Sequence, residues 1–271
     1  MKIGQVLKEY RLHAGLTQTE MAAGLVSESF YSKVERGVHE INAELLIKIL
    51  EAHNFDVIAF FQRVIKPVNS YFDIESKIII AKNTKNLAML DKIKKDLKNG
   101  GGTALPYWLE FRLELAYAWI THSQDQVSPE LKEKMKRIIV GDEWDRNAYY
   151  FLSQSMILMD FDDAASLVNS AYKAYDKNPQ TDIFTLQWIS FVGVNFLNYC
   201  YHHHAGEKYT ESSIKFLKSL PITPDLGFSK VLALYYEALF NGDRKTQQSL
   251  IHLLKEIGYY SLIQDTVKED V

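Results

Sequence analysis

Apolar residues recur three and four positions apart along almost the whole chain, the period of an α-helix with one buried face. Alternating strand-like runs are scarce, and Ile78-Ile-Ile-Ala81 is too short to decide anything, so the pattern predicts an all-α protein. Residues 1–66 read as short helices punctuated by Gly15, Gly24 and Gly37, and closed at Lys66-Pro67-Val68, because the residue before proline resists the α region. Beyond it the helices lengthen and pair: Ala104–His122 with Pro129–Val140, Asp142–Met159 with Asp162–Asp176, Asp182–His203 with Glu207–Leu220, and Asp225–Phe240 with Asp243–Ile257. First helices start about forty residues apart, the period of a TPR-like or HEAT-like solenoid. Trp108, Trp144 and Trp188 sit early in three of them, and Asp142, Asp162, Asp182 and Asp243 are the expected N-caps. Residues 69–98 add two helices, and Asn99-Gly-Gly-Gly-Thr103 reads as a linker, since no Gly-Lys-Ser/Thr follows the glycines.

Composition narrows the class. In 271 residues, 47% are hydrophobic and 24% charged, and 16 Tyr, 14 Phe and 4 Trp supply the area needed for packed cores, which excludes disorder. The formal charge of −3 announces neither a nucleic-acid nor a membrane-surface binder. A single cysteine, Cys200, rules out an intrachain disulfide and suggests a reducing, cytoplasmic setting. The opening lacks the apolar core of a signal peptide, and no segment is long enough to span a membrane.

The most informative segment runs from Leu16 to Gly37. Thr17 caps a helix starting at Gln18, with Glu20 in support and Met21, Ala22 and Leu25 on its apolar side. Gly24 serves the turn, and Ser27 caps a second helix, Glu28–Arg36, which Gly37 stops. Tyr31 and Val34 face inward, leaving Glu28, Ser29, Phe30, Ser32 and Lys33 outward: a helix-turn-helix whose second helix can enter a DNA major groove. Free amides near Gln18 and Ser27 suit phosphates. The expected DNA-contacting set is Thr17, Gln18, Ser27, Glu28, Ser29, Phe30, Ser32, Lys33 and Arg36. Residues 1–66 hold eight Lys/Arg and eight Asp/Glu, so affinity must come from placed contacts, helped by a second copy, rather than bulk charge. Arg11 and Glu35, at the ends of the first and third helices, read either as a structural fork or as two separate solvated charges, and the resemblance described next favours the fork.

Leu16-Thr-Gln at the start of this segment and Ser32-Lys-Val-Glu-Arg-Gly37 at its end resemble the Cro/repressor (XRE) type of five-helix DNA-binding domain. More narrowly, Val26-Ser-Glu-Ser-Phe-Tyr-Ser-Lys-Val-Glu-Arg-Gly37, the Tyr149-Tyr-Phe-Leu152 run and the ending from Tyr235 to Leu254 are similar to the Rgg/GadR/MutR regulators, within the wider RRNPP class. The resemblance implies a homodimer joined through its C-terminal domain, promoter DNA as one partner, and an imported signalling peptide bound on the concave face of the repeats. Some members cross-link through a cysteine in the DNA-binding domain. Here Cys200 is the sole cysteine, so no such link is expected. The domains expected are 1–66 for DNA and 67–271 for peptide binding and dimerisation.

An extended peptide carries unpaired amides and carbonyls, which Asn and Gln carboxamides can serve. With first helices assumed to line the concave face, the candidates are Asn147, Gln154, Gln187, Asn195 and Asn198, with Arg112 and Arg146 for a carboxylate and Tyr149, Phe191 and Tyr236 for side-chain pockets. The Tyr201-His-His-His-Ala205 run does not read as a metal site, because adjacent helical residues point about 100° apart. No cofactor, metal or catalytic constellation is expected, and the chain does not read as an enzyme. A ligand-independent regulator and a pure interaction module are the alternatives.

Overall fold

A computed structural model describes residues 2–65, 71–99, 107–125, 127–133, 144–179 and 181–267. Among these every regular element is helical. None of the helices is long and apolar enough to cross a membrane. The chain divides into two compact units, residues 1–73 and 74–271.

The first unit contains α1 (Ile3–His13), α2 (Gln18–Ala22), α3 (Glu28–Glu35), α4 (Ala43–Ala52) and α5 (Val57–Val64). Thr17, Ser27, Asn42 and Asp56 each accept a backbone N–H at the start of α2 to α5, and each such cap contributes about 1 kcal/mol. Thr17 and Glu20 make the reciprocal capping box. One stripe from each helix closes the core: Val6 and Leu7, Met21, Tyr31 and Val34, Leu46, Ile49 and Leu50, and Phe60. Leu25 departs from expectation. Ala23 and Gly24 both take left-handed backbone angles, so the chain leaves α2 early and Leu25 is 42% exposed rather than packed on its apolar side.

The second unit comprises α6 (Tyr71–Asn83, starting just before the division), α7 (Leu87–Asn99), α8 (Tyr107–Thr121), α9 (Arg146–Ser155), α10 (Phe161–Lys177), α11 (Ile183–His202), α12 (Glu207–Ser219), α13 (Pro224–Asn241) and α14 (Arg244–Glu256). Residues 129–133 are also helical. The remainder of the Pro129–Val140 helix, Asp142 as a cap, the Lys66–Val68 boundary and the glycine joint at 100–103 lie outside the described residues.

Two starts differ from expectation. Asp160, not Asp162, precedes α10, which places Asp162 and Asp163 in its first turn, where acidic groups still favour the helix N-terminus. α9 is capped by Asp145, whose side chain accepts from the Ala148 amide. The helix expected to run to Met159 tightens to a 3₁₀ turn at Met156–Leu158. Trp144 precedes α9 instead of lying within it.

α11 is apolar on nearly every side, as a helix enclosed by others must be. It packs against α9, α10, α12 and α13. The forty-residue period reappears as hydrogen bonds between equivalent positions of successive pairs. Asn195 Nδ2 donates to the Ser153 carbonyl at 2.7 Å, the Tyr199 hydroxyl to the Met159 carbonyl at 2.7 Å, and the Tyr172 hydroxyl to Ser213 Oγ at 2.9 Å. Ser190 and Ser229 share a further hydroxyl contact at 2.9 Å. These buried and part-buried pairs fix the spacing of neighbouring helices while the apolar cluster supplies the stabilisation.

Candidate functional site

The first unit presents the N-terminal end of α3. Ser27, Glu28 and Ser29 are exposed there, Ser32 and Lys33 are half-buried further along, and Arg36 is exposed at the end. Several of the nine expected DNA-contacting residues already have intramolecular partners. Ser27 Oγ accepts from the Phe30 amide, Thr19 Oγ1 donates to Glu28 Oε2 at 2.5 Å, and Arg36 Nε donates to the Ser32 carbonyl at 3.3 Å. Phe30 is half-buried against the core and stacks on His39 at 5.8 Å, so its ring supports α3 more than it faces outward. Thr17 is occupied in the capping box, and Gln18 Nε2 donates to Glu35 Oε2 at 2.8 Å.

Behind the outer face lies the fork. Arg11 Nε meets Glu35 Oε1 at 2.6 Å and Nη2 meets Oε2 at 3.2 Å, while Nη1 donates to the Leu16 carbonyl at 2.9 Å. One guanidinium thus joins α1, the α1–α2 turn and α3. Burial alone raises the Glu35 carboxyl, but hydrogen bonds from Arg11 and Gln18 outweigh it and hold the group below its ordinary range. Tyr31, buried beside the pair, is pushed upward by burial and by the Glu35 charge.

In the second unit, α6, α8, α9, α11, α13 and the C-terminal turns enclose a cavity of about 400 Å³. A larger cleft of about 560 Å³ lies between α12 and α13, but Glu207, Glu211 and Glu237 make it acidic and it holds none of the expected residues. The smaller cavity collects Arg112, Gln154, Phe191, Asn195, Asn198 and Tyr236 from the ten peptide candidates.

Arg112 pairs with Glu75 at 2.5 Å and lies over the Tyr150 ring at 4.9 Å. Asn195 spends its amide on Ser153, and burial pushes the Tyr236 hydroxyl, beside Asn198, strongly upward. Gln154 Nε2 donates to Ser153 Oγ at 3.0 Å, and the Gln154 backbone carbonyl accepts from the Trp119 indole at 2.8 Å.

The other four candidates are elsewhere. Arg146 pairs with Asp182 at 2.7 Å and covers Phe184 at 5.1 Å. Asn147 is exposed away from the cavity, Gln187 does not line it, and Tyr149 is a core residue stacked on Trp144 at 5.3 Å.

Among the lining residues that sequence reasoning missed are Lys82, Trp119, Trp188, Phe228, Leu232 and Tyr259. Trp188 had a visible signal: with Phe191, Asn195 and Asn198 it forms one stripe at helical spacing. Lys82 faces the cavity near Arg112, and burial together with that like charge lowers its ammonium from 10.5 to about 8. The result is an apolar chamber with aromatic walls, carboxamides along α11 and cationic groups at α6 and α8. That chemistry suits an extended apolar chain bearing an anionic group.

Comparison with known proteins places both units. Residues 7–58 match the helix-turn-helix family. Over the whole chain the fold is similar to that of the SHP pheromone receptor Rgg2 of Streptococcus dysgalactiae, at 19% identity, with 99% of this chain and 100% of that chain covered and a TM-score of 0.65. The PrgX/cCF10 complex is similar at 19% identity, 99% and 100% coverage and 0.65. Bacillus thuringiensis PlcR, solved with the peptide PapR7 and DNA, is similar at 16% identity, 99% coverage of both chains and 0.60. No curated protein matches the sequence. The fold is therefore that of these solved structures, a helix-turn-helix unit in the chain's first part followed by a unit of paired helices.

Proposed function

We propose that this protein is a sequence-specific DNA-binding transcriptional regulator whose repeat unit senses a short, apolar signalling peptide. The observation that carries the reading is the gathering of six separate sequence candidates, from α8, α9, α11 and α13, around one chamber, in a chain that also bears an exposed α3 on a helix-turn-helix. The matched folds include receptors solved with a peptide, and in one case with DNA as well, which supports the same two partners here. In this reading the chain acts as a homodimer in the cytoplasm, residues 1–66 hold DNA, residues 67–271 hold peptide and the second copy, and no catalysis is involved. Two copies of an electrically balanced DNA-binding unit supply by avidity what bulk charge does not.

The test is a gel-shift with the full chain on DNA upstream of its own gene, with and without short hydrophobic peptides. Retention of one specific fragment, altered by a peptide that isothermal calorimetry also detects, is the expected result. Ser29→Ala and Lys33→Ala are expected to lower affinity by about 1–3 kcal/mol for each hydrogen bond to a base that they remove. Absence of sequence-specific retention under every ligand tried would overturn the reading.

A further inference from the structure

We propose that His122, His202 and Asp265 form a binding site for a divalent first-row transition metal ion, with Zn²⁺ the best match. The three residues come from places far apart in the sequence: just past the end of α8, the last residue of α11, and the 3₁₀ turn Gln264–Thr266. The run Tyr201–Ala205 gave no sign of this, because its three histidines diverge. His203 turns to Phe161 and Tyr199, whereas His202 meets His122 from another helix.

The geometry gathers donors around one point. One nitrogen from each imidazole and one carboxylate oxygen lie within 4.8 Å of one another. Nε2 of His122 and Nε2 of His202 stand 2.8 and 2.9 Å from the same Asp265 Oδ2. A tetrahedral ion with bonds of about 2.0–2.1 Å needs such atoms about 3.3 Å apart, so small side-chain rotations suffice. Two imidazoles and a carboxylate are the donor set of open zinc and related transition-metal sites.

Hydrogen bonding alone leaves the cluster unsatisfied. His202 is aligned to bond Asp265, but His122 Nε2 is a buried polar atom without an aligned partner, despite its short distance to the carboxylate. The rings stack at 3.8 Å, side by side, with both Nε2 atoms on the same carboxylate oxygen. Lys85 Nζ sits 2.6 Å from Asp265 Oδ1 and pairs with the carboxylate from its other oxygen. Lys85 then plays the outer-layer role that orients a ligating carboxylate. His122 adopts a left-handed backbone, φ 49°, an uncommon conformation for a non-glycine residue. His122 and Asp265 line the chamber, so a fourth coordination position is open to water or to an anionic group of a bound molecule.

The experiment uses the full chain, stripped with a chelator and titrated with zinc chloride against a chromogenic competitor. One Zn²⁺ per chain and a higher unfolding temperature are expected. His122→Ala and His202→Ala are each expected to weaken binding by more than the roughly 10–100-fold that loss of an outer-layer partner costs, while His203→Ala keeps the original affinity. Circular dichroism verifies that each variant is folded. If a variant does not fold, the d–d bands of the original chain with one equivalent of Co²⁺ decide: intense four-coordinate bands support the site, and the weak bands of the hydrated ion overturn it. No stoichiometric Zn²⁺ binding, or binding that survives loss of both histidines, also overturns it.

Discussion

Gly4 on α1 lies so close to Val34 on α3 that a β-carbon added at Gly4 would stand 1.9 Å from the Val34 carbonyl oxygen and 2.8 Å from its carbonyl carbon. The obstacle is backbone, which cannot rotate away, so the absence of a side chain lets α1 seat directly on α3. Gly4→Ala is expected to lower the stability of the first unit by about 1–3 kcal/mol and to weaken DNA retention in proportion. Chemical denaturation followed by circular dichroism measures it. A variant as stable as the original chain would show that α1 and α3 can separate without cost.

The Arg11–Glu35 fork predicts a pH dependence of definite sign. The Glu35 carboxyl is held below its ordinary value in the folded chain, so its stabilisation is complete above the unfolded value of about 4.3 and is lost as pH falls through the lower, folded value. Glu35→Gln is expected to cost about 1.5–3 kcal/mol at neutral pH, the range for hydrogen bonds to charged groups. The gap between the two proteins narrows in acid. A gap that stays constant down the acid limb of a denaturation series would sink this account.

The chamber separates two arginines that the sequence treated alike. Arg112 lines it, whereas Arg146 is spent on Asp182. For a peptide that binds, Arg112→Ala is expected to reduce affinity at least about tenfold and Arg146→Ala to leave it nearly unchanged, since one charge-assisted hydrogen bond is worth about 1.5–3 kcal/mol. Trp188→Ala should behave like the former. Calorimetry on the three variants reads the result, and equal losses at both arginines would place the ligand elsewhere.

Lys82 gives a second titration, of the same sign as the carboxylate but in the alkaline range. Its ammonium is lowered from 10.5 to about 8 by burial and by Arg112. Between those values the unfolded chain holds the proton and the folded chain does not, so the Lys82 contribution to stability rises with pH across that window. Lys82→Met is expected to remove this rise. Near pH 8, amine-directed acylation is expected to modify Lys82 faster than exposed Lys208, and a bound acidic peptide to suppress it. Mass spectrometry of timed samples checks both. Equal labelling of the two lysines would contradict the shift.

Helix boundaries, caps and the forty-residue spacing were readable in the sequence because each depends on residues near one another in the chain. Ser27, Asp182 and Asp243 cap the helices they were expected to cap. Asp160 was hidden by two neighbouring acids, Asp162 and Asp163, that suit a first turn equally well. The chamber was only partly readable. Periodicity says which residues share a face, but not which neighbour covers it, so Tyr149 and Tyr236 looked alike until one proved to be core against Trp144 and the other chamber wall. Gly4 and the His122–His202 pair were illegible, since each is defined by an element distant in sequence.

The Asn195 amide has a consequence for how a ligand could enter the chamber. Its donor is engaged with the Ser153 carbonyl, one repeat back, at the edge of the chamber. A visitor that claims this amide must first prise it from α9, and one that leaves it alone must bind around a strut already in place. Under the proposed function, occupancy of the chamber and the spacing of α9 from α11 therefore compete for the same proton, which would couple chemical recognition to a mechanical change without a hinge.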